Sequence, residues 1–260
     1  MDEEVSENSQ FIVFDLQMMT LLYRTYQIVI GFPVLIIITI ITALEVGIGT
    51  TIGNGHYWGY YPGRWWARII LWAFLIPVKV EGREQLEKNH SYVFVANHQG
   101  IFDIFLIYGH LGRNFKWMMK HQLGKIPFVG YACARSNQIY LADGISGISK
   151  AVQQSRETLK GGMSMVIFPE GTRTRTGKMS PFKRGSFMLA NEIGLPIVPL
   201  TINGSFDVFS RNHKSVHMGT VTLTIHKPIT AEERQGKQTK VIMQEVFDVI
   251  NGGLVEKYRT

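Results

Sequence analysis

A long uncharged stretch near the N-terminus limits the folds open to this 260-residue chain. Residues 28–44 contain no charged side chain, and the apolar pattern resumes over residues 46–52 after Glu45. A helix needs about 17 to 25 apolar residues to cross a hydrocarbon core. A buried helix of a soluble core is the alternative, but the run of β-branched residues leaves no polar face. The stretch therefore predicts a membrane helix, kinked rather than broken at Pro33.

A second apolar segment follows at residues 64–77 and contains three tryptophans, with Arg64 and Arg68 near one end. It is short and charged for a spanning helix, whereas Trp and Arg at a segment edge suit a bilayer interface. Residues 53–63, rich in Gly, Tyr and His, predict the turn between the two segments. We therefore expect a two-helix membrane hairpin whose second arm either spans or lies shallow.

The pattern changes after Pro77, where short β-rich runs alternate with helical stretches. Such alternation predicts an α/β fold, with a mostly parallel mixed sheet flanked by helices. We divide the chain into residues 1–76, a polar tail and the membrane-anchoring hairpin, and residues 77–260, the α/β domain. The predicted strands lie at residues 78–80, 92–96, 115–119, 138–141, 163–168, 197–202 and 221–225, and the predicted helices at residues 102–110, 145–160, 186–193 and 241–258.

The charge of the chain is unevenly placed. The formal net charge is +7, and residues 111–190 hold 13 Lys or Arg against three acids. This surplus indicates an anionic partner such as a phosphate, a nucleic acid or an anionic bilayer, or else a solvated basic face. The basic residues belong to no helix-turn-helix, zinc-finger or RNP motif, so we expect no nucleic-acid partner. Lys79 and the basic domain after it favour a cytoplasmic position for the α/β domain.

The sequence offers no activated nucleophile and no clustered metal ligands. Cys133 is the only cysteine, and its apolar neighbours predict a packing role rather than a nucleophile. There is no Gly-x-Ser-x-Gly elbow and no His-Glu-x-x-His motif. We therefore expect no metal, no cofactor and no covalent acyl-enzyme intermediate.

Residues 93–103 place a histidine and a carboxylate at the end of an apolar strand. Gly100 permits a sharp turn after His98, and Asp103 follows in the first turn of a predicted helix. Ligand sites of open α/β sheets lie at the carboxyl ends of strands. A histidine serves as a base near neutral pH, and a neighbouring carboxylate fixes its tautomer. The spacing alone also fits a capping aspartate beside an unrelated surface histidine.

Residues 166–175 repeat this arrangement at the end of a second apolar strand. Glu170 can accept hydrogen bonds, Gly171 lets a ligand approach the backbone, and Thr172 can donate. Arg173 can bind a phosphate or carboxylate through two hydrogen bonds. The order of residue types favours a binding turn over a generic solvated loop.

These blocks together resemble the glycerolipid acyltransferases, most closely the 1-acylglycerol-3-phosphate acyltransferases. Residues 97–103 match the His-x4-Asp (HX4D) signature of this family, and residues 168–173 match its second hallmark. Between them, residues 120–130 resemble the Lys-x-x-Leu and Pro-x-x-Gly block, and residues 195–200 the apolar proline-containing block. Four blocks in the expected order, from about residue 77 to residue 225, make the resemblance specific.

The resemblance implies an acyltransferase of phospholipid biosynthesis, held on the inner membrane with its catalytic domain facing the cytoplasm. Its partners would be the bilayer, a lysophospholipid or other lysolipid acceptor, and an acyl-ACP or acyl-CoA donor. The reaction would acylate the sn-2 hydroxyl of 1-acylglycerol-3-phosphate and give phosphatidic acid. The residues it implies are His98 and Asp103 for catalysis, and Lys120, Glu170, Gly171, Thr172 and Arg173 for substrate binding.

One position departs from the family pattern. Where the family often carries Asp-Arg after an apolar stretch, this chain has Ala142-Asp143. Loss of that arginine removes an expected anion contact. A lyso-aminolipid acceptor with the same His98 and Asp103 chemistry is therefore an alternative, as is a non-catalytic membrane scaffold.

Overall fold

The computed structural model describes residues 15, 17–141, 145–159 and 162–260. The predicted N-terminal tail and Asp143 lie outside these residues. All seven predicted strands form, which confirms the α/β prediction. The strands are β1 Val78–Glu81, β2 Val93–Ala96, β3 Phe115–Lys120, β4 Ile139–Leu141, β5 Ser164–Ile167, β6 Ile197–Asn203 and β7 Val221–Ile225.

The seven strands form one sheet in the order β1-β7-β6-β2-β5-β3-β4. Strand β2 lies at the centre and pairs in parallel with β5 on one side and β6 on the other. Only the β6–β7 pairing is antiparallel among the described strands. Every residue of β2 and β5 is buried, as expected for parallel strands covered on both faces. The loops after β2 and β5 therefore leave the sheet at the same edge.

Helices cover both faces of the sheet. Alternate side chains of β2 point to opposite faces, so Phe94 and Ala96 join one apolar cluster and Val93 and Val95 the other. The helices are α1 Gln17–Ile52, α2 Gly55–Trp58, α3 Tyr61–Ala73, α4 Phe102–His110, α5 Val129–Arg135, α6 Ile145–Thr158, α7 Arg184–Ile193, α8 Ser205–Phe209, α9 Ala231–Arg234 and α10 Thr239–Gly253.

Helix α1 carries the apolar stretch and lies lengthwise against the domain. Among the described residues it is the one helix long and apolar enough to cross a membrane. Its inner face is bonded to the domain at widely spaced points: Tyr23 donates to the Phe74 carbonyl, Gln27 donates to the Val216 carbonyl, and Trp66 donates to the Thr39 hydroxyl. Its outer face exposes apolar side chains at Ile28, Val29, Ile36, Ile37, Ile41, Leu44, Ile48 and Ile52.

Helix α3, which covers most of the predicted second arm, has two different faces. Its 13 residues span about 20 Å, short of the roughly 30 Å of a hydrocarbon core. Ala67, Ile70 and Leu71 are buried in the apolar cluster that also holds Phe94. Trp65 and Trp72, by contrast, are 59% and 73% exposed. Helix α3 therefore belongs partly to the domain core, and membrane insertion of the α1–α3 pair stays a prediction.

Candidate active site

The loop after β2 is held in place by two neighbours of His98. Asn97 is buried, accepts from the Ile202 backbone N–H at 2.8 Å and donates to the Ile202 carbonyl at 2.9 Å. A Cβ at Gly100 would lie 2.7 Å from the Phe209 carbonyl oxygen. Close packing of the loop against α8 therefore requires glycine, a reason beyond the sharp turn predicted from the sequence.

His98 and Asp103 meet as the sequence predicts. Nδ1 of His98 lies 2.7 Å from Oδ2 of Asp103, which is fully buried at the start of α4. The same oxygen accepts the backbone N–H groups of Gln99 at 2.6 Å and Gly100 at 2.9 Å. Because this oxygen acts as an acceptor, Nδ1 of His98 is the donor. Nε2 is then the nitrogen that can accept a proton.

One face of the His98 ring is covered by an aromatic ring. The rings of His98 and Phe168 stack with centroids 3.9 Å apart and an interplanar angle of 11°. Trp117 of β3 stacks behind Phe168 at 5.5 Å. The imidazole is thus held at Nδ1 by a hydrogen bond and across its plane by a ring. Sequence reasoning assigned no role to Phe168 or Trp117, although Phe168 begins the second hallmark block.

Glu170 joins the two loops. Its Oε1 accepts the backbone N–H of His98 at 2.8 Å, and its Oε2 accepts the backbone N–H of Ser180 at 2.8 Å. The His98 carbonyl in turn accepts the N–H of Thr174 at 2.9 Å. Burial raises the pKa of Glu170 to about 7, and the two backbone donors partly offset this effect. Both carboxyl oxygens therefore bind backbone amides and position the loops, a role that the sequence did not predict, and the predicted contact of Glu170 with the acceptor stays a prediction.

The rest of the turn presents a hydroxyl and cations. Gly171 has a φ of +69°, and a Cβ there would lie 2.9 Å from the Lys183 ammonium nitrogen. Thr172 accepts a hydrogen bond at 3.0 Å from Nη1 of Arg211, a residue that the sequence did not single out. Burial lowers the pKa of Arg173, and the nearby charge of Arg211 lowers it further. The predicted residues 170–173 therefore lie beside His98, with a cationic group around them.

Lys120 and Cys133 lie on the β3 side of the sheet. The backbone of Lys120 ends β3 and pairs with Leu141; its side chain lies outside what the structure describes. Cys133 is half-buried in α5, and burial raises the pKa of its thiol to about 11. A thiol with this pKa holds little thiolate at neutral pH, in keeping with a packing role.

His98, Asp103 and the turn that carries Thr172 and Arg173 all lie within the part of the chain that matches a known protein family. Residues 77–203 match the family model described as Acyltransferase. The chain therefore contains an acyltransferase domain, and it is similar to glycerolipid acyltransferases named 1-acyl-sn-glycerol-3-phosphate acyltransferase.

Comparison with individual proteins shows how far this similarity extends. A chloroplastic 1-acyl-sn-glycerol-3-phosphate acyltransferase of Brassica napus is 32% identical over 65% of this chain and 50% of its own length. The enzyme of that name from Saccharomyces cerevisiae is 29% identical over 77% of this chain and 69% of its own length. The crystal structure of the Thermotoga maritima acyltransferase PlsC matches with a TM-score of 0.75 and 25% identity, covering 91% of this chain and 95% of that one. The chain spans about half the length of the plant relatives it matches.

Proposed function

We propose that this protein moves a fatty acyl chain from acyl-ACP or acyl-CoA to the sn-2 hydroxyl of 1-acylglycerol-3-phosphate, giving phosphatidic acid. The observation that carries the proposal is the 2.7 Å contact between Nδ1 of His98 and Asp103, which leaves Nε2 available as a base beside the Arg173 turn. The relatives named for the same reaction support this acceptor.

In the proposed reaction, the acceptor hydroxyl oxygen attacks the carbonyl carbon of the thioester. The hydroxyl proton passes to Nε2 of His98, and Asp103 stabilises the imidazolium that forms. The tetrahedral intermediate then breaks its C–S bond, and the departing thiolate takes the proton from His98. The raised pKa of the Cys133 thiol argues only against that cysteine as the acyl-accepting nucleophile, so we propose direct transfer without an acyl-enzyme.

Membrane association is part of the proposal. An apolar surface as long as the outer face of α1 is unusual on a soluble monomer and fits a bilayer. Exposed Trp65 and Trp72 on α3 suit headgroup depth. The acceptor hydroxyl would then reach the site without leaving the interface. We place the catalytic domain on the cytoplasmic side of the inner membrane, supported by the basic surplus of the domain.

Replacement of the proposed base tests this function. We expect His98→Ala to lower kcat by about 10²- to 10⁴-fold while the protein stays folded. The control is His90→Ala, which removes a half-exposed histidine from the loop before β2. This loop lies at the end of β2 opposite to His98. The assay pairs 1-acylglycerol-3-phosphate or a lyso-aminolipid with acyl-ACP and with acyl-CoA.

The outcomes separate the candidate functions. Transfer to the phosphate acceptor that depends on His98 supports the proposal. Transfer to the lyso-aminolipid alone would show that this lipid is the acceptor instead of 1-acylglycerol-3-phosphate. Asp143, which stands where the family often has an arginine, is the reason to test this outcome. Thioester turnover in His98→Ala at the wild-type rate would refute the assignment of the base.

A further inference from the structure

A loop that belongs to none of the family-like blocks reaches the candidate site. Residues 210–213 follow α8, and Nη1 of Arg211 donates to the Thr172 hydroxyl at 3.0 Å. The neighbouring Asn212 side chain donates to the Arg175 carbonyl at 2.8 Å. Two side-chain hydrogen bonds therefore hold this loop against the turn that carries Arg173.

We infer that Arg211 is a second anion-binding arginine of the acceptor site and that it selects lysolipids bearing a phosphate. The inference rests on the proposed function, because it assigns the acceptor of that reaction. It adds a residue 39 positions away in sequence from Thr172, its partner in the turn.

The charge arrangement around Thr172 favours an anion. Arg211 lies near enough to Arg173 for its charge to lower the pKa of Arg173, and Lys183 lies over Gly171. Asp103 acts on Arg173 in the opposite direction: its Oδ2 accepts from His98 and two backbone amides, and its buried Oδ1 has no hydrogen-bond partner among the described residues. Among the described residues, none of Arg173, Lys183 and Arg211 has a carboxylate within 4.0 Å. Like charges held together in this way repel each other until an anion binds between them.

The chemistry of the side chains points to a phosphate monoester. A guanidinium has five N–H donors in a fixed plane, and the bond to Thr172 uses one of them. A phosphate monoester offers a charge near −2 and three strong acceptor oxygens, which two guanidinium groups can share. An uncharged glycerol headgroup or an aminolipid ammonium gains nothing from a second arginine. Arg211 therefore contributes to binding only when the acceptor carries the anion.

The test compares two acceptors that differ only in the phosphate: 1-oleoylglycerol 3-phosphate and 1-oleoylglycerol, in the same detergent micelles with the same donor. For Arg211→Gln we expect KM for the phosphate acceptor to rise about 10- to 100-fold, the effect of losing one hydrogen bond to a charged group. The kcat for this acceptor and the kcat/KM for 1-oleoylglycerol should stay as in wild type. Arg211→Lys should recover part of the loss, because it keeps the charge without the planar fork.

The matched control is Lys214→Gln, which removes one exposed positive charge from the same loop and should leave both acceptors unaffected. The inference is overturned if Arg211→Gln leaves KM for the phosphate acceptor unchanged, or raises it equally for both acceptors.

A binding measurement separates this failure from failure of the proposed function. Binding of 1-oleoylglycerol 3-phosphate without donor is titrated in His98→Ala and in His98→Ala/Arg211→Gln. Weaker binding in the double variant supports the Arg211 site even if wild type transfers no acyl chain, which would sink the proposed function alone. Equal binding in both variants overturns the Arg211 site even if wild type acylates the phosphate acceptor.

Discussion

Two parts of the molecule, the sheet edge that carries His98 and the helix α1, are held in place in different ways. At the edge, buried polar groups from distant parts of the sequence bond to one another: His98 to Glu170 across 72 residues, and Asn97 to Ile202 across 105. Helix α1 instead has an inner face held by apolar packing and a few widely spaced hydrogen bonds, and an exposed outer face that is apolar. Hydrogen bonds require particular atoms at particular distances, whereas apolar packing mainly requires side chains of suitable size and polarity. The structure of the sheet edge therefore depends on particular side chains. On the outer face of α1, we expect only the polarity of the side chains to matter.

The inner face of α1 shows that packing too can demand particular residues. A Cβ at Gly47 would lie 2.6 Å from the Tyr131 ring, and one at Gly49 would lie 2.2 Å from the Trp58 ring. Small residues therefore let α1 approach α5 and α2 closely. The outer face has no such neighbours, and this difference separates residues that hold the helix from residues that meet its surroundings.

The largest effect is expected on the outer face of α1. Ile37→Asp combined with Ile48→Asp places two charges among exposed apolar side chains, each costing about 2.5 kcal/mol or more in a bilayer core. We expect vesicle binding to fall by at least ~10-fold, while kcat with a micellar short-chain acceptor stays unchanged. Co-sedimentation with phospholipid vesicles measures the binding.

The control for this pair is Ile37→Leu with Ile48→Leu, which keeps the face apolar and should bind vesicles as wild type does. If the aspartate pair also sediments like wild type, the outer face of α1 does not meet the bilayer. Loss of vesicle binding in both pairs would show that side-chain shape also matters on the outer face of α1. That face would then depend on particular side chains, as the sheet edge at His98 does.

A smaller effect is expected at the aromatic stack. Phe168→Leu removes the ring that lies over His98, and a stacked pair contributes about 0.5–1.5 kcal/mol beyond its burial. We expect kcat to fall by roughly 2- to 10-fold with KM unchanged, and the acidic limb of the pH–rate profile to shift. Phe168→Tyr, which keeps the ring, should restore both.

Phe182→Leu is the matched control, because Phe182 stacks on Phe187 in the apolar cluster on the other face of the sheet. It should lower the melting temperature without changing the pH–rate profile. Equal profiles for Phe168→Leu and Phe182→Leu would reduce Phe168 to a packing residue.

A separate effect, on stability rather than on activity or binding, is a pH dependence at Glu170. Its pKa rises from 4.5 to about 7 on folding, so the folded protein binds this proton more tightly than the unfolded chain. The contribution to the free energy of unfolding is therefore present below pH 4.5 and is lost as the pH rises towards 7. We expect Glu170→Gln to lack this decline, whereas the control Glu192→Gln, an exposed carboxyl, should keep it. Melting temperatures across this pH range measure the difference; parallel curves for all three proteins would contradict it.

Much of the fold followed from the sequence because its signals are local. Short β-rich runs fixed all seven strands, and polar residues directly after β2 and β5 predicted that His98 and Arg173 lie at one edge. Helices α2, α5, α8 and α9 were not predicted, because seven or fewer residues give too little periodicity.

The contacts that depend on sheet order could not be predicted. Phe168 meets Trp117 because β5 lies beside β3, and Arg211 meets Thr172 because the loop after β6 folds back over the edge. Neither follows from spacing along the chain. For residues 64–77, amino-acid composition could not distinguish a core-facing helix from a lipid-facing one. An apolar helix face has the same composition whether it covers a core or meets lipid.

The two backbone bonds of His98 have a consequence for biosynthesis of the chain. Its N–H needs Glu170 and its carbonyl needs Thr174, so the imidazole is not presented to a substrate until β5 has joined β2. A nascent or partly assembled chain therefore lacks the positioned base that the proposed transfer needs. Transfer activity would accordingly report that β5 has paired with β2, the central strand of the sheet.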